Sequence, residues 1–231
     1  MTDFPLARAD RFGEAPFFVF CDHASNAVPA DLNSLGLPDD ILETHIAWDI
    51  GAGALAAGVA RRLQGTLFRC CFSRLVIDPN RAETAPDLIP ATSDQIPVPG
   101  NQMMTQQDRA DRLARFHVPY HDLLDDALDD MIARAGPPFV VSIHSFTNRL
   151  MGAAEDRPWR VGVLWREDEK SARGLIAYLR ETAGWVVGDN EPYDAREFNY
   201  SVDRHVDPRG LSHVTIEARQ DLIGDEKGAE E

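Results

Sequence analysis

The sequence predicts an α/β fold, with a single domain over residues 1–231 built on a mostly parallel mixed sheet flanked by helices. Three observations support this class. Short apolar runs with strand character alternate with segments of helical periodicity. Four of the apolar runs end in polar residues, as strands do at a ligand-binding edge of an open sheet. The length of 231 residues suits one domain of ordinary size.

The first half of the chain predicts two strands and one helical region. Residues 17–21 form a continuous apolar run typical of a buried strand. Residues 38–64 predict a helix pair or one long helix. Pro38 is typical of the start of a helix, and small residues recur along the segment. Residues 66–78 predict the next strand. The prolines and polar residues over 82–100 indicate a long loop, and long ordered loops in compact domains are usually functional.

The second half predicts further helices and strands in alternation. Residues 105–134 predict a long amphipathic helix. The elements that follow are a strand ending at His144, a strand over 159–164, a helix over 168–183, a strand over 185–187, a loop over 188–211 and a strand ending at Glu217. The residues from 224 to 231 are acidic, and we expect them to form a frayed tail.

Composition limits the partners and the compartment. The formal net charge of −15 argues against nucleic acids and anionic membrane surfaces, which select basic proteins. A small anionic substrate is still compatible with that charge, because a few arginines or a metal ion can reverse the sign locally. No apolar stretch reaches the roughly 18 residues of a membrane span, and no signal pattern is present. Cys21, Cys70 and Cys71 suggest reduced core thiols in the cytoplasm rather than disulfides. The sequence does not determine the oligomeric state.

Two histidines lie at the ends of predicted strands. His23 follows the run 17–21, and His144 ends the run that begins at Phe139. Neutral imidazole is the commonest ligand of catalytic zinc, which takes about three protein ligands and a water molecule. Both histidines are therefore candidate metal ligands. The alternative is that they are polar strand-end residues with local hydrogen bonds.

Glu217 is a candidate general base. It ends an apolar strand, where burial would raise the pKa of its carboxyl group toward the working pH. Such a group could take a proton from an attacking water molecule and deliver it to a leaving nitrogen. The alternative is a buried salt bridge to Arg219 or Arg74.

Arg81, together with Asn80, is a candidate site for a substrate carboxylate. A guanidinium group offers a planar fork that matches a carboxylate. The alternative for Arg81 is an internal ion pair with an acidic neighbour such as Asp78. Arg74 and Arg219 are further candidates for substrate binding, and for each a structural role is equally compatible with the sequence.

The second long loop carries further polar candidates. Asn190 and Tyr193 could contact the substrate, and His205 could take part in catalysis, because loops on a rigid scaffold often carry such groups. A packed loop without a chemical role is the alternative. His117 and His121 have a spacing that can bind metal, but no acid adjoins the first of them, so we interpret them as packing residues.

Five segments give the chain a resemblance to a known family. They are Cys-Asp-His-Ala-Ser-Asn at 21–26, Ser-Arg-Leu-Val-Ile-Asp-Pro-Asn-Arg at 73–81, Ser-Ile-His-Ser-Phe-Thr at 142–147, Asn-Glu-Pro-Tyr at 190–193 and Glu-Ala-Arg-Gln-Asp-Leu-Ile at 217–223. The chain resembles the N-formylglutamate amidohydrolases, also called N-formylglutamate deformylases. More distantly it is similar to the zinc carboxypeptidases, which implies a fold like that of the zinc carboxypeptidases and phosphorylase-like hydrolases.

The resemblance implies a metal site with zinc, or another divalent cation, bound by His23 and His144. In the carboxypeptidase pattern the third ligand is the glutamate of a His-x-x-Glu pair, and this chain has Asn26 at that position. A neutral amide is a poor zinc ligand, so Asp22 and Asp49 are alternative candidates. Asp49 lies one predicted helical turn after His45. A hydrogen bond between these two residues on one helix face would also explain the presence of Asp49.

The function implied by the resemblance is hydrolysis of the amide bond of a small anionic N-acyl amino acid. N-formyl-L-glutamate is the type substrate, and the products are formate and the amino acid. Glu217 would move the proton and Arg81 would hold the α-carboxylate. The alternatives are a broader carboxypeptidase or acylamino-acid deacylase, and a non-catalytic protein of the same fold that binds small anions.

Overall fold

A seven-stranded sheet forms the centre of the computed structural model, which describes residues 4–224. The strands in chain order are β1 (Ala7–Arg11), β2 (Phe17–Cys21), β3 (Thr66–Cys70), β4 (Thr92–Ser93), β5 (Ile96–Pro97), β6 (Phe139–Phe146), β7 (Val161–Leu164), β8 (Val187–Asp189) and β9 (His213–Arg219). The sheet has the order β1-β3-β2-β6-β9-β7-β8, and β4 and β5 pair separately.

The sheet is mixed and mostly parallel, which confirms the predicted fold class. Strands β3, β2, β6 and β9 run parallel to one another, and β8 runs parallel to β7. Within the described chain, the antiparallel pairs of this sheet are β1 with β3 and β7 with β9. The carboxyl ends of β2, β6 and β9 therefore meet at one edge, where ligands bind in open α/β sheets.

Helices cover both faces of the sheet. They are α1 (Asp39–Leu42), α2 (Ala52–Arg62), α3 (Gln106–Arg112), α4 (Val118–Ala135) and α5 (Glu169–Glu181). The α4 side chains pack with the aromatic residues of β2 and β3 on one face, and α2 packs on the other face of the same strands. Helix α5 packs against β7 and β8. No helix within residues 4–224 combines the length and apolar character that a membrane crossing requires.

Helix α2 lies close to the sheet because its inner face is built from small side chains. Ala52, Ala56 and Ala60 recur every four residues and are fully buried against the strands. Gly51 precedes the helix with φ of 80°. A Cβ atom at this position would collide with the carbonyl oxygen of Ile223, so the positive φ and the close approach both require glycine.

The predicted strand over 66–78 ends early, at Cys70. The apolar run Leu75-Val76-Ile77 is fully buried but belongs to a turn region. Ser73 explains the change, because its hydroxyl oxygen accepts a hydrogen bond from the Leu75 amide at 3.2 Å. The same hydroxyl donates to the Ala47 carbonyl oxygen at 2.7 Å. The run therefore reflects burial and not strand geometry.

The other differences concern the ends of elements and missed short elements. The helical region predicted over 38–64 is divided by a turn segment into α1 and α2. Strand β1 was not predicted, because it is a polar edge strand without a clear apolar alternation. The strand predicted over 185–187 lies at Val187–Asp189. The predicted tail beyond Gly224 lies outside the described residues.

The long predicted helix over 105–134 is present in three parts. A π-helical turn over Leu113–His117 joins α3 to α4. Each of the two predicted long loops also contains a short element. Strands β4 and β5 form a hairpin within 82–100, and a π-helical turn covers Val202–Val206. Such turns occur often at functional or packed sites, where they redirect side chains.

Candidate active site

The sheet edge brings His23, His144 and Glu217 into one cleft. His23 lies two residues after β2, and His144 in β6 pairs in register with Glu217 in β9. The ring centroids of the two histidines are 5.0 Å apart. The cleft has a volume of about 110 Å³. The residues that line it are His23, Asp49, Arg74, Asn80, Arg81, His144, Ser145, Tyr193, Phe198 and Glu217.

Asp49 links the two histidines. It lies in the turn segment before α2, and its backbone amide donates to the His23 carbonyl oxygen at 3.0 Å. Its Oδ2 atom is 2.9 Å from His144 Nδ1 and 3.3 Å from His23 Nδ1. The backbone amide of Ser145 donates to the same oxygen at 3.2 Å. One carboxylate oxygen thus fixes the position of both imidazole rings.

A second buried carboxylate lies on the other side of His23. Asp78 Oδ1 is 2.7 Å from His23 Nε2, and Asp78 Oδ2 accepts a hydrogen bond from Arg74 Nη2 at 2.7 Å. Arg74 Nη1 also reaches Asp49 Oδ1 at 3.5 Å. Both carboxylates therefore have cationic or imidazole partners, as buried charges require.

The pKa values show which charges this network favours. Burial and the Arg74 guanidinium oppose protonation of His23, but Asp78 and Asp49 outweigh them and raise its pKa to about 9. Burial also opposes protonation of His144, but the hydrogen bond and charge of Asp49 raise its pKa. Burial opposes ionisation of Asp49, yet His23 and His144 hold its pKa well below the usual range. The site therefore favours positive charge next to Asp49.

The donor set fits a divalent metal ion. His23, Asp49 and His144 each offer one ligand atom, and these atoms lie within 4.8 Å of one another. Two imidazoles and a carboxylate are a ligand set found in catalytic zinc sites. In addition, His144 Nε2 is buried and has no hydrogen-bond partner among the described residues. The residues present are thus compatible with the metal that the resemblance implies.

Asp49 lines the cleft, whereas Asn26 and Asp22 do not. Asn26 does not line the cleft, and its side-chain amide donates to the Leu42 carbonyl oxygen at 3.0 Å. Asp22 is buried and accepts a hydrogen bond from the Tyr120 hydroxyl at 2.5 Å. Its other oxygen is 3.8 Å from His144 Nε2. The geometry therefore favours Asp49 over Asn26 as the third donor and leaves Asp22 beside the group.

Glu217 is buried, with a free oxygen in the cleft. It is 6% exposed, and its Oε2 atom has no hydrogen-bond partner within residues 4–224. Burial raises its pKa to about 7, the His144 imidazole opposes this shift and the negative charge of Asp49 adds to it. No ion pair with Arg219 is formed, because Arg219 binds Asp221 at the surface at 2.8 Å. A carboxyl group with this pKa can accept and release a proton near neutrality.

Arg81 and Phe198 lie next to each other in the lining of the cleft. Arg81 Nε donates to Asp87 Oδ2 at 2.7 Å, and Arg81 Nη1 donates to the Asn80 carbonyl oxygen at 3.0 Å. The guanidinium carbon lies 5.0 Å from the centroid of the Phe198 ring. The Oδ1 atom of the Asn80 side chain is already used, because it accepts a hydrogen bond from the Ser201 amide at 3.1 Å. Arg81 is thus better placed than Asn80 to contact a ligand.

The second long loop is divided between the cleft and the packed interior. Tyr193 lines the cleft, whereas Asn190 binds the backbone of Trp165 through both ends of its amide, at 2.8 and 2.9 Å. His205 lies outside the cleft in a separate buried cluster. It contacts His121 at 2.7 Å and Asp125 at 2.7 Å. The structure therefore does not bring Asn190, Arg219 or His205 to the cleft.

Two cleft residues were not singled out from the sequence. Ser145 directly follows His144, and its role arises from its backbone amide, which carries no sequence signal. Phe198 lies in a long loop five residues after Tyr193, where no periodicity indicates which side chains face inward. An aromatic residue in a polar loop close to a family motif was the only available sign.

Comparisons with known proteins identify the family and the fold. The family model of N-formylglutamate amidohydrolase matches residues 15–224. The crystal structure of the Agrobacterium tumefaciens gene product Atu2144 is 32% identical with a TM-score of 0.91, over 97% of this chain and 89% of that one. The N-formylglutamate amidohydrolase of Ralstonia eutropha JMP134 is 22% identical with a TM-score of 0.72, over 98% and 89%, and shares the fold. No curated protein sequence shows significant similarity.

Proposed function

The chain belongs to the N-formylglutamate amidohydrolase family and is a hydrolase of amide bonds, and on this premise we propose that it deacylates a small N-formyl amino acid, the substrate class whose type member is N-formyl-L-glutamate. The products would be formate and the free amino acid. One observation carries the proposal: a His-Asp-His donor set and the carboxyl group of Glu217 line the same cleft as the guanidinium group of Arg81.

The residues that would hold zinc, or another divalent cation, are His23, Asp49 and His144. When bound, such an ion lowers the pKa of a water molecule and polarises a carbonyl group. Asp78 supports the set, because its contact with His23 Nε2 at 2.7 Å fixes the orientation of that ring. Arg74 in turn holds Asp78 through its contact of 2.7 Å.

Glu217 would transfer the proton. The attacking water molecule loses a proton as it adds to the formyl carbon, and the amide nitrogen must gain one before the C–N bond breaks. A carboxyl group with a pKa near 7 suits both steps, because it is neither too weak a base for the first nor too weak an acid for the second. The free Oε2 atom of Glu217 is available for this transfer.

Arg81 would bind the α-carboxylate of the substrate. Its Nη2 atom has no hydrogen-bond partner in the described part of the chain, and the Phe198 ring supports the guanidinium plane. Arg74 is less suited, since both of its terminal nitrogens are used by Asp78 and Asp49. A bidentate contact to Arg81 would orient the scissile amide toward Glu217.

Two further features support the proposal. Cys21, Cys70 and Cys71 are unpaired, which fits a reducing compartment such as the cytoplasm. The alternative of a non-catalytic anion-binding protein depends on Asn26, which stands where the carboxypeptidase pattern has a carboxylate ligand. Asp49 supplies a carboxylate from another part of the chain, so that alternative loses its basis.

A hydrolysis screen tests the proposed function. Purified protein would be incubated with N-formyl, N-acetyl and N-benzoyl amino acids, and release of formate or of the free amino acid would be measured, with and without a chelator. We expect release from N-formyl substrates that a chelator abolishes and added zinc restores. Hydrolysis of acetyl and benzoyl substrates at similar rates would indicate the broader deacylase. Absence of hydrolysis under all conditions would contradict the proposal.

A further inference from the structure

The cleft contains an aromatic wall that the steps described above leave without a role in contacting substrate. Phe198 lines the cleft and is 37% exposed, although it is a large apolar residue. Its ring lies edge-to-face with that of Tyr193, with centroids 6.2 Å apart. When an apolar group of a ligand covers exposed apolar surface in a binding cleft, the burial of that surface contributes favourably to the free energy of binding. The wall therefore fits a substrate part without charge.

The arginines of the cleft are sufficient for one carboxylate. Two arginines and no lysine are among the described residues that line it. Arg74 is bound to Asp78 and Asp49, so Arg81 is the guanidinium available to a ligand. A further arginine packs against Tyr193: Arg157 donates to the Thr147 carbonyl oxygen at 3.1 Å. It also donates to the Tyr193 hydroxyl oxygen at 3.3 Å and does not line the cleft.

Apart from Arg81, the lining residues offer a second substrate carboxylate no cationic side chain outside the His23, Asp49 and His144 set and its partner Arg74. Asp49 and Glu217 line the cleft, and Asp87 occupies the outer side of Arg81. Burial of a carboxylate without a partner is unfavourable, because the lost hydration is not replaced by an ion pair or hydrogen bonds. The side-chain carboxylate of a glutamate substrate would therefore lack a partner, whereas an apolar side chain would need none.

The distance between Arg81 and Phe198 matches the geometry of an amino acid. The Arg81 guanidinium carbon lies 5.0 Å from the centroid of the Phe198 ring. In an α-amino acid the carboxylate and the side chain are attached to the same carbon atom. A carboxylate held by Arg81 would thus place the side chain beside Phe198.

We propose that Phe198 and Tyr193 form the side-chain subsite of this enzyme, and that this subsite selects N-formyl amino acids with an uncharged, apolar side chain over N-formyl-L-glutamate. This inference rests on the proposed deformylase function. Phe198 is then the main specificity-determining residue, since its exposed face is the apolar surface that the substrate side chain would cover.

The test compares specificity constants for N-formyl-L-leucine, N-formyl-L-glutamine and N-formyl-L-glutamate. Glutamine has the shape of glutamate without its charge, so it separates the effect of charge from that of size. We expect leucine to exceed glutamate by at least about tenfold, the scale of discrimination by one apolar pocket contact, with glutamine in between. Phe198→Ala should reduce the preference for leucine over glutamine, and Phe198→Arg should raise the rate for glutamate relative to leucine. Tyr178→Ala, at an exposed position on α5, is the control and should leave all ratios unchanged.

The outcomes separate this inference from the proposed function. Preference for N-formyl-L-glutamate in the unaltered protein, kept in Phe198→Ala, would overturn the subsite and direct attention to Arg157 as a second carboxylate contact. Hydrolysis of the N-formyl substrates at equal rates would also overturn it, while the deformylase function would stand. Absence of hydrolysis for all three substrates would overturn both.

Discussion

His144 and Glu217 occupy opposed positions on two neighbouring parallel strands, β6 and β9. The backbone ladder between these strands therefore fixes the distance between the proposed metal ligand and the proposed base. The side chain of Glu217 makes no hydrogen bond through Oε2 within residues 4–224. Its replacement by an isosteric group should consequently change the chemistry and leave the fold intact.

We expect Glu217→Gln to lower turnover by at least about 100-fold, the low end of the contribution of general acid–base catalysis. The amide keeps the shape of the side chain but cannot accept the proton. Formate release measures turnover, while metal content and the thermal unfolding midpoint serve as controls and should stay unchanged. Turnover close to that of the unaltered protein would assign the base elsewhere, with Asp22 as the next candidate because it lies beside His144.

Metal affinity should depend on Asp49 and not on Asn26. We expect Asp49→Asn to weaken zinc binding by at least about 100-fold, since loss of a direct ligand should exceed the 10–100-fold effect of supporting residues. Asn26→Ala is the matched control and should retain the metal, because the Asn26 amide is bound to the Leu42 carbonyl oxygen. Competition with a chromogenic chelator measures the affinity. The reverse ranking of the two variants would make Asn26 the third ligand.

Substrate charge should be recognised through the shape of Arg81. Arg81→Lys keeps the charge but loses the planar fork, and loss of a charged hydrogen bond costs about 1.5–3 kcal/mol. We expect the specificity constant for an N-formyl amino acid to fall by about 10–150-fold. The matching N-formyl amino-acid amide, which lacks the carboxylate, should be little affected. Equal losses for both substrates would mean that Arg81 holds the fold.

Arg74→Lys provides a contrast to Arg81→Lys. Arg74 binds Asp78 and Asp49, which both contact His23. We therefore expect Arg74→Lys to slow the hydrolysis of the carboxylate and amide substrates alike. A selective effect on the carboxylate substrate would instead identify Arg74 as the residue that binds it.

The buried His121 should make the fold sensitive to acid. Burial, together with the neighbouring His117 and His205, lowers the pKa of His121 to about 2, whereas an unfolded histidine titrates near 6.5. Below about pH 6.5 the unfolded chain takes up a proton that the folded chain does not, so the stabilising effect is present above that pH and is lost as the pH falls. Over this pH range, each such group changes the free energy of unfolding by about 1.4 kcal/mol per pH unit.

Urea unfolding measures this effect in a comparison with His121→Gln. Between about pH 7 and about pH 5.5, we expect the free energy of unfolding to fall by about 1 kcal/mol more in the unaltered protein than in the variant. The reason is that the variant lacks the titrating group. Comparing the change with pH removes the effect of the substitution itself on stability. Equal losses in the two proteins would mean that the folded state binds the proton at His121 as readily as the unfolded chain.

The sequence was most informative where a continuous apolar run ends in a polar residue. The runs before His23, His144 and Glu217 identified three parallel strands, and strand polarity alone then placed their ends at one edge. Arg81 reached the cleft although the strand predicted before it is a turn. The pattern reports burial of Leu75 to Ile77 correctly, but burial does not determine the backbone conformation.

The partner of the two histidines could not be predicted in the same way. The sequence suggested a helix-face relation between His45 and Asp49, but the segment is a turn, and His45 binds Asp94 at 2.9 Å. The contacts of Asp49 span 26 residues to His23 and 95 residues to His144. Contacts of this kind depend on the packing of α2 and the sheet, which local patterns do not encode. The position of Phe198 is unpredictable for the same reason.

The position of β9 has a consequence for how the protein matures. It is the last strand of the described chain, yet it lies between β6 and β7 in the interior of the sheet. During synthesis, β6 and β7 therefore keep unpaired edges until residues 213–219 have left the ribosome, and such edges favour association with other chains. Because Glu217 arrives on the same strand, we expect sheet closure and the gain of activity to coincide in one late step.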